Sequence, residues 1–345
     1  MTKSLPRIAL TLGDVAGIGP EVVVRAIAEQ RLTEFSRPLL VGHPAVVKRA
    51  KQLIGATFDI TEVDSLAEID WCSPSIPCWN PSIAEAEDVP VGRTDARAGR
   101  AAYDYLVAAT RAAIRGEIDA ISTAPLNKAA LHAAGLNFPG HTEILAHECG
   151  VQDFAMMLYL PPGGSLPKGE FGLGVAHVTL HTSIRSVPGL LTIPHIRETI
   201  QLVSDFLKRV GCQSPRVGVC ALNPHAGEEG LFGNEESTLI APAVESARNL
   251  GVDATGPIPA DALLRRAVYG EFDGVAAMYH DQGHIALKLI GFERAVNVTL
   301  GLPIIRTSPS HGTAFDIAWQ GKARAEGFIE AVRTAALLVR SRTNG

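Results

Sequence analysis

The chain has 345 residues and a net charge of −5, and 46% of its residues are hydrophobic and 19% charged, as is ordinary for a soluble globular protein of one large or two medium domains. It contains no basic block and no apolar run long enough to cross a bilayer, so neither a nucleic-acid surface nor a membrane span is expected. Five cysteines without a C-x-x-C pair, and an N-terminus that runs directly into a predicted strand, indicate a reducing, cytoplasmic location without a signal peptide.

The first strand is predicted over residues 7–12, and a glycine-rich turn, Gly13-Asp-Val-Ala-Gly-Ile-Gly-Pro-Glu21, leads from it into a helix over residues 22–30. Such a turn can bind an anion at the amide-rich start of the helix. The dinucleotide fingerprint G-x-G-x-x-G would need a glycine where the chain has Val22. The turn is therefore either an anion site or only a tight strand-to-helix connection.

The segments that follow differ in regularity. Residues 71–92 are rich in proline and are predicted to be irregular. Asp95 is predicted to cap a long helix over residues 96–115, because aspartate accepts from the first amides of a helix and the alanines that follow favour helix.

Two segments after this helix contain candidate site residues. A strand over residues 118–123 ends shortly before Lys128, which is either catalytic or an exposed lysine at the start of a helix. Phe138-Pro-Gly-His-Thr-Glu143 starts another helix, where His141 and Thr142 could donate to a phosphate. Alternatively, Thr142 serves only as a helix cap.

Three histidines, His181, His225 and His280, each follow a predicted strand. Parallel strands place their carboxyl ends along one edge of a sheet, so these imidazoles are predicted to converge there. Three neutral imidazoles that leave positions open on a divalent metal are typical of a catalytic site, and three unrelated loop histidines are the alternative. His177 shares a strand predicted over residues 171–180, and with a period of two it lies on the same face as His181, so one of the pair could be structural.

The densest set of polar residues follows the strand predicted over residues 273–279. Titratable groups clustered at the end of a strand typically mark a ligand site, whereas a polar loop with incidental histidines is the alternative. The set consists of His280-Asp-Gln-Gly-His284, Lys288, Asn297, Arg306 and His311-Gly-Thr-Ala-Phe-Asp316.

Seven motifs, spread over nearly the whole chain, resemble the 4-hydroxythreonine-4-phosphate dehydrogenase family of vitamin B6 biosynthesis. They are Gly13-Asp-Val-Ala-Gly-Ile-Gly-Pro-Glu21, Thr123-Ala-Pro-Leu-Asn-Lys128, Pro139-Gly-His-Thr-Glu143, Asn223-Pro-His-Ala-Gly-Glu228, Met278-Tyr-His-Asp-Gln-Gly283, Gly301-Leu-Pro303 and Arg306-Thr-Ser308. The family's fold is similar to that of isocitrate and isopropylmalate dehydrogenases, so the resemblance implies an α/β protein with two α/β/α domains and a cleft between them. It further implies a nucleotide-binding domain of residues 1–125 and 290–345, and a metal-binding, substrate-binding and dimerising domain of residues 126–289.

The resemblance also implies roles for individual residues. His311-Gly-Thr-Ala-Phe-Asp316 looks like the adenine-binding loop of those dehydrogenases, which assigns contacts with NAD or NADP to His311, Gly312, Thr313, Ala314 and Asp316. The implied metal ligands are His181, His225 and His280, and His181 is preferred to His177 because His181-Thr-Ser-Ile-Arg185 meets the family pattern. The implied substrate contacts are His141, Thr142, Lys288, Asn297 and Arg306. The candidates for proton transfer are Lys128, Asp261 and Asp281.

The implied reaction is the oxidation of a 4-phosphorylated 3-hydroxy acid by NAD or NADP, followed by decarboxylation. A divalent metal would lower the pKa of the alcohol and stabilise the enolate; zinc is expected, and manganese, cobalt, nickel and magnesium are alternatives. Lys288 and Arg306 match the phosphate and carboxylate charges. The family also implies a homodimer in which His181 and His225 of one chain meet His280 of the other.

Three segments depart from the pattern expected of the biosynthetic enzymes. The loop over residues 161–170 is longer and richer in proline and glycine, and the segments 283–288 and 315–319 look like a related branch. That branch resembles dehydrogenases of D-threonate or D-erythronate 4-phosphate, and another relative oxidises an aromatic cis-dihydrodiol carboxylate. A non-catalytic metabolite-binding protein is the remaining alternative, and the three histidines together with Lys288 and Arg306 argue against it.

Overall fold

The computed structural model describes residues 5–30, 32–152 and 154–342. The strands in these residues are β1 (Arg7–Thr11), β2 (Arg37–Val41), β3 (Ile60–Val63), β4 (Ile76–Trp79), β5 (Ala120–Thr123), β6 (Ala155–Leu160), β7 (Leu173–His177), β8 (Arg216–Cys220), β9 (Asp253–Ile258), β10 (Gly274–Ala277), β11 (Val296–Leu300) and β12 (Arg306–Pro309). The helices are α1 (Gly19–Gln30), α2 (Pro44–Ile54), α3 (Ala96–Ile114), α4 (Lys128–Ala133), α5 (His141–Cys149), α6 (Val187–Leu190), α7 (Ile193–Arg209), α8 (Ala241–Asn249), α9 (Ala260–Val268), α10 (His280–Gly291) and α11 (Glu326–Arg342). The mixture of strands with helices between them confirms the predicted α/β class.

The chain divides into two compact units. The N-terminal unit contains the chain up to Gln152 and the segment that begins at Leu302. Its strands lie in the order β3-β4-β2-β1-β5-β12, and the neighbouring pairs are parallel. The successive residues Ile8, Ala9 and Leu10 are all 0% exposed. Because neighbours in a strand point to opposite faces, both faces of β1 are covered, as expected for a parallel sheet between helices.

The central unit contains the described residues from 154 to 301. Its strands lie in the order β11-β6-β7-β10-β8-β9. β6 pairs antiparallel with both β11 and β7, while β7, β10, β8 and β9 pair in parallel. Leu263 and Leu287, from α9 and α10, join Val175 and Val275 of the sheet in one buried apolar cluster. This core holds the carboxyl ends of β7, β10 and β8 side by side at one edge of the sheet.

The boundaries of these units differ from the predicted domain boundaries. Residues 126–152 belong to the N-terminal unit, because α4 and α5 pack against α3. Residues 290–301 belong to the central unit, because β11 pairs with β6. The functions that the sequence predicts for the two domains remain predictions. Among the described residues, no helix combines the length and the apolar character that a bilayer span requires.

Local predictions succeeded where the sequence signal was long. α3 begins directly after Asp95, whose Oδ1 accepts from the backbone amide of Arg97 at 2.8 Å, so the predicted cap is confirmed.

The prediction that residues 71–92 are irregular was wrong for β4, because a strand of four residues is too short to show alternation. The strand predicted over residues 171–180 ends at His177, and the chain then turns where Thr182 N bonds to Leu180 O at 2.9 Å. The prediction that His177 and His181 share one strand face was therefore wrong.

Candidate active site

Histidines follow the carboxyl ends of three adjacent strands in the central unit. β7 ends at His177, and His181 comes after it in an exposed turn. α10 begins at His280, shortly after β10, and His225 follows β8 in the short turn Pro224–Gly230. Because β10 lies between β7 and β8, these residues all follow the same edge of the sheet.

Four imidazoles form a histidine cluster, which consists of His177, His181, His280 and His284. The ring centroids of His181 and His280 lie 5.9 Å apart. His284 stacks on His280 with centroids 3.8 Å apart and ring planes 14° apart, and its centroid lies 4.6 Å from that of His177. His284 belongs to the polar set predicted after residues 273–279, but its bond to His177 could not be predicted, because the two residues are 107 positions apart in the chain.

The two buried members of the histidine cluster, His177 and His284, form its inner pair, and the direction of the hydrogen bond between them is fixed. The carbonyl oxygen of Met156 can only accept, so Nδ1 of His177, 3.1 Å away, carries the proton. The neutral His177 ring then accepts at Nε2 from Nδ1 of His284, also at 3.1 Å. Burial lowers the pKa of His177 to about 4 and also lowers the pKa of His284, so both rings are neutral at pH 7. His177 is therefore a buried orienting residue, and His284 is left with Nε2 as an acceptor.

His225 lies on a separate segment from the histidine cluster. Its side chain is exposed, and its ring centroid lies 6.4 Å from that of Phe232. Within the described part of one chain, no three His, Cys, Asp or Glu side chains are arranged to hold a metal ion. The donor chemistry of His181, His225 and His280 suits a divalent metal of the zinc type.

The three candidates for proton transfer have different surroundings. Asp281 lies beside the histidine cluster, with Oδ1 2.7 Å from Nδ1 of His280 and its side chain 69% exposed. Asp261 is exposed in the first turn of α9. Lys128 is the exposed first residue of α4 in the N-terminal unit, and its side chain borders the space beside Gly140. Of these three residues, Asp281 is the one that contacts a predicted metal ligand.

The N-terminal unit contains a buried polar cluster around Arg306, Thr123 and His141, with Thr142 next to His141 in the chain, which is called the arginine pocket below. Arg306 on β12 is 2% exposed and donates through Nε and Nη2 to Thr123 Oγ1 at 3.2 and 2.7 Å. Burial lowers the pKa of the Arg306 guanidinium, and the charge of Glu143 opposes that shift. A buried guanidinium fork beside the start of a helix is typical of phosphate or carboxylate recognition.

His141 and Thr142 form the first turn of α5. Nε2 of His141 lies 3.2 Å from the carbonyl oxygen of Ala124, so this nitrogen carries the proton. Burial, and after it the charge of Arg306, holds the pKa of His141 well below its ordinary value, so the ring is neutral. Gly140 occupies the cap position, which shows that Thr142 is not the helix cap.

The glycine-rich turn contacts the predicted adenine loop within the N-terminal unit. The backbone amide of Ile18 donates to the carbonyl oxygen of Thr313 at 3.0 Å. A side chain at Gly17 would clash with Thr313, since a Cβ atom there would lie 2.8 Å from its carbonyl oxygen. The turn is thus more than a strand-to-helix connection, because it supports the loop to which cofactor contacts are assigned.

Two buried polar atoms near this turn have no hydrogen-bond partner among the described residues. Asp14 is 0% exposed, and its Oδ1 accepts from Ala16 N at 2.9 Å while its Oδ2 bonds to nothing. Burial raises the pKa of Asp14 to about 6. Nε2 of His311 is likewise buried without a partner. Buried polar atoms are normally satisfied, so these two indicate where a ligand would form hydrogen bonds. The sequence did not single out Asp14.

The remaining predicted substrate contacts lie in the central unit. Lys288 is on α10, with Nζ 5.9 Å from the centre of the Phe292 ring. Asn297 on β11 donates from Nδ2 to Sδ of Met156 at 3.3 Å, and its Oδ1 is buried without a partner among the described residues. The predicted substrate contacts are therefore divided: His141, Thr142 and Arg306 lie in the N-terminal unit and Lys288 and Asn297 in the central unit.

The sequence matches known proteins over almost its whole length. Residues 34–335 match the family described as Pyridoxal phosphate biosynthetic protein PdxA. The D-threonate 4-phosphate dehydrogenase of Salmonella typhimurium is 44% identical, over 95% of this chain and 97% of that protein. The 4-hydroxythreonine-4-phosphate dehydrogenase of Geobacter metallireducens is 42% identical, over 100% of this chain and 99% of that protein. The crystal structure of a 4-hydroxythreonine-4-phosphate dehydrogenase from Klebsiella pneumoniae is similar with a TM-score of 0.83 at 42% identity, over 97% of this chain and 99% of that one.

Proposed function

Because the chain belongs to the PdxA family, whose relatives are dehydrogenases, we propose that it oxidises the 3-hydroxyl group of a 4-phosphorylated 3-hydroxy acid, with NAD or NADP as hydride acceptor. The chain is accordingly an oxidoreductase that acts on a CH–OH group. Its candidate substrates are 4-hydroxythreonine 4-phosphate and D-threonate 4-phosphate, with D-erythronate 4-phosphate and a cis-dihydrodiol carboxylate as further alternatives. The observation that carries the proposal is the arginine pocket.

The arginine pocket supports recognition of an anionic substrate. The guanidinium charge of Arg306 attracts a phosphate or a carboxylate, and His141 and Thr142 stand at the start of α5, where helix amides favour an anion. Lys288 of the central unit is a further proposed contact for an anionic group of the substrate.

The proposed chemistry has two balanced steps. In the first, the hydride on C3 passes with its electron pair to the nicotinamide ring and the hydroxyl proton leaves, so the alcohol becomes a ketone and NAD⁺ becomes NADH. In the second, the 3-oxo acid loses carbon dioxide, and the carbon that carried it takes up a proton. Asp281, Lys128 and Asp261 are the proposed groups for these proton transfers, and Asp281 is favoured by its contact with His280.

We assign a divalent metal, zinc by preference, to His181, His225 and His280, with manganese, cobalt, nickel or magnesium as alternatives. When bound, it would supply the Lewis acidity that lowers the pKa of the substrate alcohol. The chain's own residues orient the ligands. Asp281 accepts from Nδ1 of His280, which leaves Nε2 as the ligand atom, and the stacked His284 ring fixes the plane of the His280 imidazole.

A homodimer is the proposed form of the enzyme, because exposed apolar side chains lie near all three predicted ligands. They are Ile184 at 74% near His181, Leu231 at 73% and Phe232 at 49% near His225, Ile285 at 58% and Leu289 at 81% on α10, and Phe292 at 50% directly after α10. Single exposed apolar residues are common, but a set beside the ligands on three segments of one unit indicates a covered surface. A second copy on this surface would bury these side chains and could bring together ligands that one chain leaves apart.

D-threonate 4-phosphate is favoured by the inner pair of the histidine cluster. The two leading substrates differ at C2, which carries an ammonium group in one and a hydroxyl group in the other. An ammonium group is best matched by a carboxylate, whereas a hydroxyl group can donate to a neutral acceptor. His284 is neutral and offers such an acceptor at Nε2, next to His280. This neutral acceptor suits the hydroxyl group of the hydroxy acid.

The test is a comparison of substrates in one assay. Reduction of NAD and of NADP is measured with 4-phosphohydroxy-L-threonine, D-threonate 4-phosphate, D-erythronate 4-phosphate and their dephosphorylated counterparts. We expect D-threonate 4-phosphate to give the highest kcat/KM, and removal of the phosphate to lower kcat/KM by about 10²-fold or more, because the hydrogen bonds and charge interactions that the phosphate makes in the transition state are lost. Equal rates with and without phosphate would refute the arginine pocket as the phosphate site. Absence of NAD or NADP reduction with every phosphorylated acid would favour a metabolite-binding protein.

A further inference from the structure

The turn that carries His225 has an unusual backbone. Five successive residues, from His225 to Glu229, have φ between +44° and +81° and form a left-handed turn. Only Gly227 among them lacks a Cβ atom, and side chains of L-residues disfavour this region. A run of this kind does not form by local preference, so contacts from outside the turn must hold it. Such outliers concentrate at functional sites.

The contacts come from a buried carboxylate that lies after the turn in the sequence. Glu236 is 6% exposed and begins the helical segment Glu236–Ile240. Its Oε1 accepts from the backbone amides of Leu222 at 2.9 Å and of Asn223 at 2.7 Å. Burial alone would raise the pKa of Glu236, but these bonds and one from the Asn223 side chain outweigh it and lower the pKa. Glu236 is therefore a charged acceptor at neutral pH.

The same carboxylate also contacts the middle of the turn. Oε2 of Glu236 accepts from Nδ2 of Asn223 at 3.0 Å. A Cβ atom at Gly227 would lie 2.8 Å from that oxygen, so no larger residue fits there without a shift. The turn is closed at its far end by the bond from Phe232 N to Gly227 O at 3.1 Å. Glu236 thus holds the two residues that enter the turn, and its carboxylate lies so close to Gly227 that a side chain there would clash with it.

We propose that Glu236 is the positioning residue that fixes the left-handed turn and so orients the His225 imidazole toward the metal. It acts through the backbone of residues 222–227 and contacts neither substrate nor cofactor in this role. The inference rests on the proposed function in taking His225 as a metal ligand. It assigns a task to a residue outside every motif that the sequence singled out.

The experiment compares full-length Glu236→Gln with wild type, with Glu245→Gln and with His225→Ala. Glu245→Gln makes the same chemical change at an exposed position of α8. The first readout is hydrogen–deuterium exchange of the metal-free protein in peptides that cover residues 222–233. The second is the dissociation constant for Zn²⁺, measured by competition with a chelator, with the visible spectrum of bound Co²⁺ as a report on ligand geometry.

We expect Glu236→Gln to accelerate exchange in residues 222–233, to weaken Zn²⁺ binding by about 10- to 100-fold and to alter the Co²⁺ spectrum, while Glu245→Gln changes none of these. Unchanged exchange in residues 222–233 would refute the proposed role of Glu236, whatever the Zn²⁺ affinity of the variant. Faster exchange with unchanged Zn²⁺ affinity would show that Glu236 is only structural. If His225→Ala binds Zn²⁺ as tightly as wild type, the proposed metal site itself is wrong, and this result is recognisable because it does not depend on Glu236.

Discussion

Asp14 is a buried carboxyl group whose charge is expected to weaken the fold. At pH 8 the group is ionised in both the folded and the unfolded chain, and the folded state bears the full cost of a buried charge. The pKa of about 6 in the folded chain, against 3.8 ordinarily, means that this cost declines as the pH falls through 6 and disappears below 3.8. We expect Asp14→Asn to raise the free energy of unfolding at pH 8 by about 1 to 3 kcal/mol, and by less at pH 5.

The measurement is urea denaturation at pH 8 and pH 5, with Asp64→Asn as the matched control because Asp64 is exposed. A gain in stability that is equal at the two pH values would show that charge burial is not the cause. A ligand that donates to Oδ2 of Asp14 should reduce the difference in free energy of unfolding between wild type and Asp14→Asn. It would supply the partner that this oxygen lacks among the described residues.

At the scale of single residues, the sequence reveals chemistry but not environment. His225 and His280 could be singled out because each follows an apolar run that ends in polar residues. Glu236 and Asp14 could not, and the role of His284 within its polar set could not, since their importance comes from burial and from partners that the chain brings near only on folding. An aspartate in a glycine-rich turn looks the same in sequence whether it is exposed or fully buried.

Among the elements, α3 offers a direct test of a confirmed prediction. Oδ1 of Asp95 accepts from the amide of Arg97 at 2.8 Å, and loss of such a cap typically costs about 1 kcal/mol. We expect Asp95→Ala to lower the free energy of unfolding by about that amount. Asp95→Asn should lower it much less, because asparagine keeps the side-chain acceptor of the cap. Thermal unfolding followed by circular dichroism at pH 7 measures both variants. An equal loss in the two would assign the effect to the charge pair with Arg97 instead of the cap.

The elements that the sequence predicted well are those with a strong local signal. The alanine-rich run after Asp95 specifies α3 almost to its ends, since a helix of 19 residues repeats its pattern several times. β4 has four residues and contains Pro77, so its own sequence argues against a strand. It forms because β2 and β3 flank it and supply the pairing, and a partner in space leaves no mark in the local sequence.

For the whole molecule, the decisive question is whether two chains share each active site. The test uses two inactive variants, His181→Ala and His280→Ala, unfolded and refolded together. Random assortment places about half of the dimers in the mixed class, and one of the two sites in each mixed dimer has all three ligands intact. We expect about a quarter of wild-type activity to return. Each variant refolded alone is the control.

If His181 and His280 of each site come from the same chain, each site keeps one lesion and no mixing ratio restores activity. The sequence could not decide this point, because three strand ends along one edge are compatible with either arrangement. The support for the proposed sharing is the set of exposed apolar side chains near the predicted ligands.

The turn from His225 to Glu229 has the hand that a helix of D-amino acids would adopt, so it places mirror-image backbone inside an otherwise ordinary chain. Glycine, which is achiral, should therefore stabilise this turn more than alanine does, the reverse of their order in a right-handed helix. We expect Ala226→Gly to stabilise the protein by about 0.5 to 1 kcal/mol, although the same change inside α3 would destabilise it. Ala226→Val should lower the free energy of unfolding, because a branched Cβ atom fits a left-handed backbone worst. Urea denaturation of the two variants would measure the cost in stability of the backbone that carries the His225 imidazole.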